Sequence, residues 1–168
     1  RSVSRGLGDV YKRQGRQFVM RAQELGIMLD MSHISERGFW DTLEISKRPV
    51  IAGHSNSKAV CNVPRNLSDE QFAALVRRGG GAGINLYPEF LGLGRDIDAV
   101  FAHIDHFMSL GGERSVFLGC DLDGIEETPR GISGVQDLGK IYETLLRHNY
   151  SEQLVCDIFR LSLIHISE

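Results

Sequence analysis

The sequence predicts an α/β fold built on a parallel sheet. Three observations support this prediction: four short apolar runs, a segment of helical apolar spacing after each run, and no linker between them. Strict alternation of helix and strand predicts parallel strands joined by right-handed crossovers. One helix followed by four strand–helix units fits either half of a (β/α)8 barrel or part of a doubly wound sheet.

The helices are predicted from apolar residues at helical spacing and from the residues at their ends. Ser35, Ser68 and Ser151 stand where helices should begin, because a serine oxygen there can accept a hydrogen bond from a free backbone N–H. Gly26 and the glycines at 79–81 stand where helices should end. The predicted helices are 18–25, 35–45, 68–76, 96–110, 137–148 and one that starts at 152.

Each strand is predicted from a short apolar run, which is typical of a parallel strand buried on both faces. The runs cover residues 27–31, 49–53, 82–86 and 115–120. Amphipathic spacing indicates which helix side chains pack inward. They are Phe39, Trp40, Leu43 and Ile45 in one helix and Ile97, Val100, Phe101, Ile104, Phe107 and Met108 in another.

The two ends of the chain are predicted to be foreign to the protein. The octapeptides LGDVYKRQ (7–14) and LSLIHISE (161–168) can be encoded by opposite strands of one DNA word. Such a pair indicates an inverted repeat flanking the insert, as a transposon used to fragment DNA would leave. We therefore expect residues 1–14 and 161–168 to be translated adapter, and 15–160 to be natural protein with both true termini missing. A cut gene favours the truncated barrel over the doubly wound sheet.

The bulk composition argues against several classes of protein. The chain is 42% hydrophobic and 24% charged, with a formal net charge of −3. It has no stripe dense in lysine and arginine, so no nucleic-acid partner is predicted. No apolar run approaches the ~20 residues that a membrane-spanning helix needs. The composition favours a cytoplasmic location. Because the true N-terminus is expected to be missing, the sequence does not decide whether a signal peptide preceded it.

Two of the apolar runs are followed by a histidine. His33 ends the segment GIMLDMSH and His54 ends PVIAGH. Side chains at the carboxyl ends of parallel strands point toward one crevice, so the two imidazoles are predicted to converge on a metal ion. The alternative is that each is an ordinary loop histidine. Two imidazoles alone make an incomplete zinc site, so carboxylates from elsewhere are expected.

Other polar residues follow the predicted strands. Asp121 and Asp123 flank Leu122 at the end of the last strand, where one could act as a catalytic carboxylate, while an Asp-Gly turn accounts equally well for Asp123. Arg65 is placed to clamp a substrate carboxylate, although a solvated loop arginine is equally common. Asn85 and Tyr87, at the end of the third strand, could line the same pocket.

A second histidine cluster is interpreted as structural. His103 and His106 share a helix face with three-residue spacing. Their helix belongs outside the barrel, away from the strand ends, so a packing or surface role is favoured over metal binding.

Four segments of the chain together resemble the membrane (renal) dipeptidase family, zinc dipeptidases with an amidohydrolase-like barrel. The resemblance covers essentially all of 15–160, in order and at family-like spacing. The segments are Asp30-Met-Ser-His-Ile-Ser, Pro49-Val-Ile-Ala-Gly-His-Ser-Asn-Ser, Pro64-Arg-Asn-Leu-Ser-Asp and Gly119-Cys-Asp-Leu-Asp-Gly.

The resemblance implies a site with two zinc ions bridged by a glutamate and a dipeptide as substrate. It implies that His33 and His54 are the two histidines of the second zinc and that Arg65 holds the C-terminal carboxylate of the substrate. Asp121 would act on the scissile amide or its amine. Asn85 and Tyr87 would line the pocket.

The family's remaining functional residues should lie upstream of Gly15. They are a His-x-Asp motif, the bridging glutamate and a further histidine. The chain is therefore expected to be the C-terminal half of its barrel, inactive alone and a weak zinc binder. A homodimer of the full-length protein is compatible with the resemblance. Two alternatives stay open: an amidohydrolase-type enzyme for a lactone, lactam or N-acyl amino acid, and a non-catalytic barrel relative.

Overall fold

Four parallel strands form one sheet in the computed structural model, which describes residues 13–161. Segments 1–12 and 162–168 lie outside the described residues, so the adapter prediction stays a prediction. The strands lie in the order of the sequence, and each pairs in parallel with the next. They are β1 (Leu29–Asp30), β2 (Val50–Ala52), β3 (Gly81–Ile84) and β4 (Val116–Leu118). The predicted α/β fold with a parallel sheet is confirmed.

Helices connect the strands and cover one face of the sheet. They are α1 (Arg13–Glu24), α2 (Glu36–Ile45), α3 (Asp69–Arg77), α4 (Pro88–Leu91), α5 (Ile97–Ser109), α6 (Gly139–Arg147) and α7 (Glu152–Cys156), with a 3-10 turn at Val135–Asp137 and a π-helical turn at Asp157–Leu161. The short helix α4 was not predicted. Pro88 occupies its first turn, where proline loses no helical hydrogen bond.

The three serines predicted to begin helices do so. Ser35 accepts a hydrogen bond from the N–H of Gly38, and Ser151 accepts one from Leu154. Ser68 forms a reciprocal capping box with Gln71. The caps at Ser35 and Ser68 fix the positions at which the loops after β1 and β2 end.

The main core lies between the helices and the outer face of the sheet. Phe72 of α3 and Phe107 of α5 stack there, with ring centroids 4.0 Å apart, and both are fully buried. The prediction that Trp40 is buried is wrong, because the side chain is 38% exposed at the edge of α2. Its ring instead packs edge-on against buried Phe39, 5.1 Å away.

Glycines allow the carboxyl ends of the strands to approach one another closely. A β-carbon at Gly83 or at Gly119 would collide with the carbonyl oxygen of Gly53. Gly119 follows β4 and Gly53 follows β2, and strand β3 lies between these two strands. Because the two glycines nevertheless approach each other closely, the sheet is strongly curved at this level. Glycine is the residue that permits such a close backbone approach. The loops that follow the strands are thereby drawn toward one place.

Candidate metal and substrate site

The two predicted metal ligands lie side by side at the carboxyl edge of the sheet. His33 follows β1 and His54 follows β2, and their ring centroids are 4.9 Å apart with the planes inclined at 61°. His33 has a backbone φ of 66°, in the left-handed region that non-glycine residues rarely adopt. Strained conformations of this kind are concentrated at functional sites.

Asp30 holds the loops that carry both histidines. Its Oδ1 accepts hydrogen bonds from the N–H groups of Ser32, at 2.8 Å, and Gly53, at 2.9 Å. The hydroxyl of Ser32 in turn accepts one from the N–H of His54, at 3.0 Å. Asp30 therefore has a structural role, since it joins the end of β1 to the end of β2.

His54 lies among the other predicted site residues. Its Nδ1 is 2.8 Å from a terminal nitrogen of Arg65, 3.3 Å from Nδ2 of Asn85 and 3.5 Å from Oδ2 of Asp121. The nitrogens of Arg65 and Asn85 can only donate, so Nδ1 acts as an acceptor and the ring is neutral. The contact with Asp121 is therefore not an ion pair.

Burial and nearby positive charge keep both imidazoles neutral. The pKa of His54 is lowered mainly by burial and then by Arg65, against a smaller opposite effect of Asp121. The pKa of His33 is lowered by burial, by Arg65 and by His54. A neutral imidazole is the form that binds metal ions.

Arg65 crosses the loop between β2 and α3 to reach the histidines. One terminal nitrogen donates to the carbonyl oxygen of His54 and the other to Oγ of Ser55, both at 2.8 Å. The guanidinium lies 5.7 Å from the ring centroid of Phe90. Burial lowers its pKa, but an arginine stays charged at neutral pH. Its Nε–H has no hydrogen-bond partner among residues 13–161.

Asn85 and Tyr87 occupy different environments. Asn85 is fully buried, and its Nδ2 donates to Oδ2 of Asp121 at 3.1 Å. Its Oδ1 accepts from the N–H of Tyr87 at 2.6 Å. The ring of Tyr87 is half-buried and packs edge-on against Phe90, 5.0 Å away. Asn85 thus orients its neighbours, while Tyr87 keeps a partly exposed face.

Asp121 lies in a turn rather than in the strand. Strand β4 ends at Leu118, and Asp121 has a φ of 60°. Its carbonyl oxygen accepts from the N–H of Gly124 at 2.9 Å, which closes a turn that leaves Asp123 exposed. The alternation of side chains along a strand therefore does not apply to Asp121 and Asp123, because these residues follow the end of β4 and are not extended. The turn interpretation of Asp123 is confirmed.

The other histidine pair contacts neighbouring segments. His103 is fully buried: its Nδ1 accepts from the N–H of Ser57 at 3.1 Å, and its Nε2 is 3.3 Å from the carbonyl oxygen of Leu91. His106 contacts Asp69 at 2.8 Å. Both therefore join α5 to neighbouring segments, which is the packing role expected for them.

Sequence reasoning missed Asn56. This fully buried side chain accepts from the N–H of Asn85 at 2.8 Å and donates to the carbonyl oxygen of Asn85 at 3.0 Å. The only signal was its position within the segment that resembles the family, directly after the His54-Ser55 pair.

A cavity of about 350 Å³ opens beside His33 and Arg65. The buried apolar side chains in its lining are Met31, Phe39 and Leu67. The cavity is large enough for a small ligand, since ligand pockets begin at roughly this volume.

The sequence profile of the membrane dipeptidase family (peptidase family M19) matches residues 4–168. The chain belongs to this family. Dipeptidase AC, a metallopeptidase of family M19, superposes with a TM-score of 0.89 at 33% identity over 94% of this chain and 48% of its own. A metallopeptidase from Rhodobacter sphaeroides, liganded with a phosphinate mimic of the dipeptide L-Ala-D-Ala, superposes with a TM-score of 0.87 at 33% identity over 93% and 46%.

A curated relative from Klebsiella pneumoniae, an uncharacterized protein in the pqqA 5' region, is 37% identical over 85% of this chain and 54% of its own. The chain thus spans about half the length of the proteins it matches. The four strands correspond to part of the TIM barrel of the M19 dipeptidases. No helix within 13–161 is both long and apolar enough to cross a membrane.

The described residues fit part of a metal site. His33 and His54 would offer a metal ion two neutral imidazole nitrogens, a ligand type that suits zinc. Within residues 13–161, no three histidine, cysteine, aspartate or glutamate side chains are grouped so that they could hold a metal ion. A metal bound between the two histidines would therefore need further ligands from outside these residues.

Proposed function

We propose that the protein represented by this chain is a zinc-dependent dipeptidase. The observation that carries the proposal is the meeting of four functional groups at one place: His33 beside His54, with Arg65 and Asp121 both within 3.5 Å of the His54 ring. These groups come from three different loops at the carboxyl edge of a parallel sheet, which is where barrel enzymes place their active sites.

In this proposal His33 and His54 are the zinc ligands that the chain contributes. Zinc bound there would supply a Lewis acid for the peptide carbonyl. The binding loops are already fixed by Asp30 and Ser32, so the two imidazoles need little reorganisation to bind a metal.

Arg65 and Asp121 are assigned to the two charged ends of the substrate. Arg65 would bind the C-terminal carboxylate, supported by its place in the lining of the cavity beside His33. Asp121, with a quarter of its side chain exposed, would accept a proton or hydrogen bond from the amine side of the scissile bond. Tyr87 does not line the cavity beside His33 and would contact the substrate only through its partly exposed face. Asn85 would act on the substrate only through its neighbours.

We further propose that residues 15–160 are the C-terminal half of the barrel. The chain covers 48% of dipeptidase AC and 46% of the Rhodobacter enzyme. On its own it should bind zinc weakly and hydrolyse no dipeptide. Sequencing the source DNA across the Gln14–Gly15 junction by a method without transposon adapters tests this: an upstream His-x-Asp and glutamate support the proposal, and a natural start codon at that point contradicts it.

The metal assignment is tested by competition with a zinc indicator, using protein from the complete reading frame. We expect His33→Ala and His54→Ala each to weaken zinc binding by at least tenfold. His106→Ala is the matched control, since that histidine contacts Asp69 on the outer helices. Equal affinity in all three variants would remove the two histidines from the site.

The reaction class is tested by substrate profiling of the same protein. Hydrolysis of L-Ala-D-Ala, with loss of activity on chelation and its return with zinc, is the expected result. Turnover confined to lactones, lactams or N-acyl amino acids would favour the other amidohydrolase chemistry, and no turnover of any of them would favour a binding role.

A further inference from the structure

We propose that Asn56 is a positioning residue that sets the orientation of Asn85 and, through it, of Asp121 and His54. The inference rests on the proposed function, because it assigns the residue that aligns that same site. It is carried by a chain of hydrogen bonds among buried groups.

The first link is a two-point clamp on the backbone of Asn85. Oδ1 of Asn56 accepts from the N–H of Asn85 at 2.8 Å, and Nδ2 donates to its carbonyl oxygen at 3.0 Å. Strand β2 ends at Ala52 and β3 at Ile84, and beyond the end of β2 the N–H of Ser55 still donates to the carbonyl oxygen of Gly83 at 2.7 Å. The side chain of Asn56 extends this connection from the next residue of the loop to the backbone of Asn85.

The second link runs from Asn85 to the reacting groups. The Asn85 side chain extends from this clamped backbone toward both groups: its Nδ2 lies 3.1 Å from Oδ2 of Asp121 and 3.3 Å from Nδ1 of His54. Its Oδ1 is occupied by the N–H of Tyr87 at 2.6 Å. Each polar atom of Asn85 therefore has a partner, and a shift of its backbone would move the carboxylate and the imidazole together.

The third observation is that Asn56 has no route to the substrate. It is fully buried, and its Nδ2 also lies 3.4 Å from the carbonyl oxygen of Phe90. A residue that acts only by alignment should change the rate of the chemical step while leaving substrate affinity nearly constant.

The test uses a matched pair of variants. Gln23 makes the same kind of clamp at the amino edge of the sheet, accepting from the N–H of Lys47 at 2.8 Å and donating to the carbonyl oxygen of Arg48 at 3.3 Å, and it is also buried. In the protein from the complete reading frame, we expect Asn56→Ala to lower kcat for L-Ala-D-Ala by about tenfold or more, with KM changed less than about threefold. Gln23→Ala should lower the Tm similarly and leave kcat unchanged.

A double-mutant cycle separates alignment from general destabilisation. If Asn56 acts through Asn85, adding Asn56→Ala to Asn85→Ala should lower kcat no further than about twofold. If the kcat losses of the two single variants multiply in the double variant, the proposal is overturned. It is also overturned if Gln23→Ala lowers kcat as much as Asn56→Ala does. Should Asn56→Ala fail to fold, Asn56→Asp keeps the acceptor for the N–H of Asn85 and should retain an intermediate kcat; a kcat equal to that of the unsubstituted protein would count against the clamp.

A measurement without turnover keeps this inference separate from the dipeptidase proposal. In the protein from the complete reading frame, Asn56→Ala should speed hydrogen exchange of the Asn85 amide by about tenfold or more and shift its Nδ2 proton resonances, while Gln23→Ala does neither. If Asn56→Ala leaves the amide exchange rate and the Nδ2 proton resonances of Asn85 unchanged, the positioning role is overturned. Absence of dipeptide hydrolysis in the unsubstituted protein would overturn only the proposed function.

Discussion

The carboxylate of Asp30 fills the space in which a side chain on Gly53 would begin. A β-carbon at position 53 would collide with Oδ2 of Asp30, whose Oδ1 is held by the N–H groups of Gly53 and Ser32. The carboxylate cannot simply rotate away, because doing so breaks both hydrogen bonds. The glycine is thus required by the group that aligns the two histidine loops.

We therefore expect Gly53→Ala to lower the free energy of unfolding by about 2 kcal/mol, through the loss of these bonds and the strain of the added methyl. Urea denaturation at neutral pH measures it. Gly139→Ala is the control, since nothing lies within 4 Å of the added carbon in α6 and alanine favours a helix. Equal stability of Gly53→Ala and the unsubstituted chain would show that Asp30 is not held as described.

Arg65 should determine the selectivity for a free carboxylate. Lysine cannot bond Ser55, the carbonyl of His54 and a substrate carboxylate in the same geometry. In the protein from the complete reading frame, Arg65→Lys should raise KM for L-Ala-D-Ala by about tenfold, or ~1.4 kcal/mol. The amidated dipeptide should be a poor substrate for both proteins. If Arg65→Lys raises KM for the dipeptide and for the amidated dipeptide by the same factor, the arginine does not recognise the carboxylate.

His103 should make the fold sensitive to acid. Burial lowers its pKa to about 4, against an ordinary value of 6.5, and its Nδ1 must be unprotonated to accept from the N–H of Ser57. Between these two values the unfolded chain binds the proton and the folded chain does not. Stability is therefore full above pH 6.5 and declines as the pH falls toward 4, by up to about 3 kcal/mol.

Urea denaturation of the unsubstituted chain and of His103→Gln, from pH 8 to pH 4, tests this expectation. The unsubstituted chain should be the more stable at pH 8, and the difference should shrink as the solution is acidified. A constant difference would mean that the imidazole is charged or solvated in the folded state.

The stacked pair of Phe72 and Phe107 should dominate the stability of the outer layer. Both rings are fully buried, and their planes are within 8° of parallel. Phe72→Ala should cost about 3–5 kcal/mol, because the cavity cannot be refilled by rigid neighbours. Phe90→Ala is a useful comparison, since that ring is only half-buried beside Arg65. Near-equal losses in thermal denaturation would contradict the assignment of the core.

The strand order and most helices could be predicted because apolar spacing and serine caps are local signals. Ser35, Ser68 and Ser151 marked helix starts correctly. The ends of the strands were predicted less accurately. The apolar run 115–120 predicted a strand that ends two residues later than β4, which ends at Leu118. Asp121, in the loop that follows β4, has a left-handed backbone conformation that nothing in the apolar pattern indicates.

The site was predicted in part for a related reason. His33, His54, Arg65 and Asp121 carry recognisable chemistry at strand ends, so sequence alone could place them together. The contribution of Asn56 depends on where β2 and β3 stop pairing, which is a property of the folded sheet. Trp40 was wrongly predicted to be buried, because helical spacing indicates which face of α2 packs inward but not how wide that face is.

Hydrogen bonds made by side chains connect each loop of the site to the next one along the sheet. Asp30 joins the first loop to the second, Asn56 joins the second to the third, and Asn85 joins the third to Asp121 in the fourth. A local opening that releases one loop removes partners from its neighbour. The carboxyl edge of the sheet should therefore open as one cooperative unit, and its amides should share a single free energy of exposure while the outer helices fray independently.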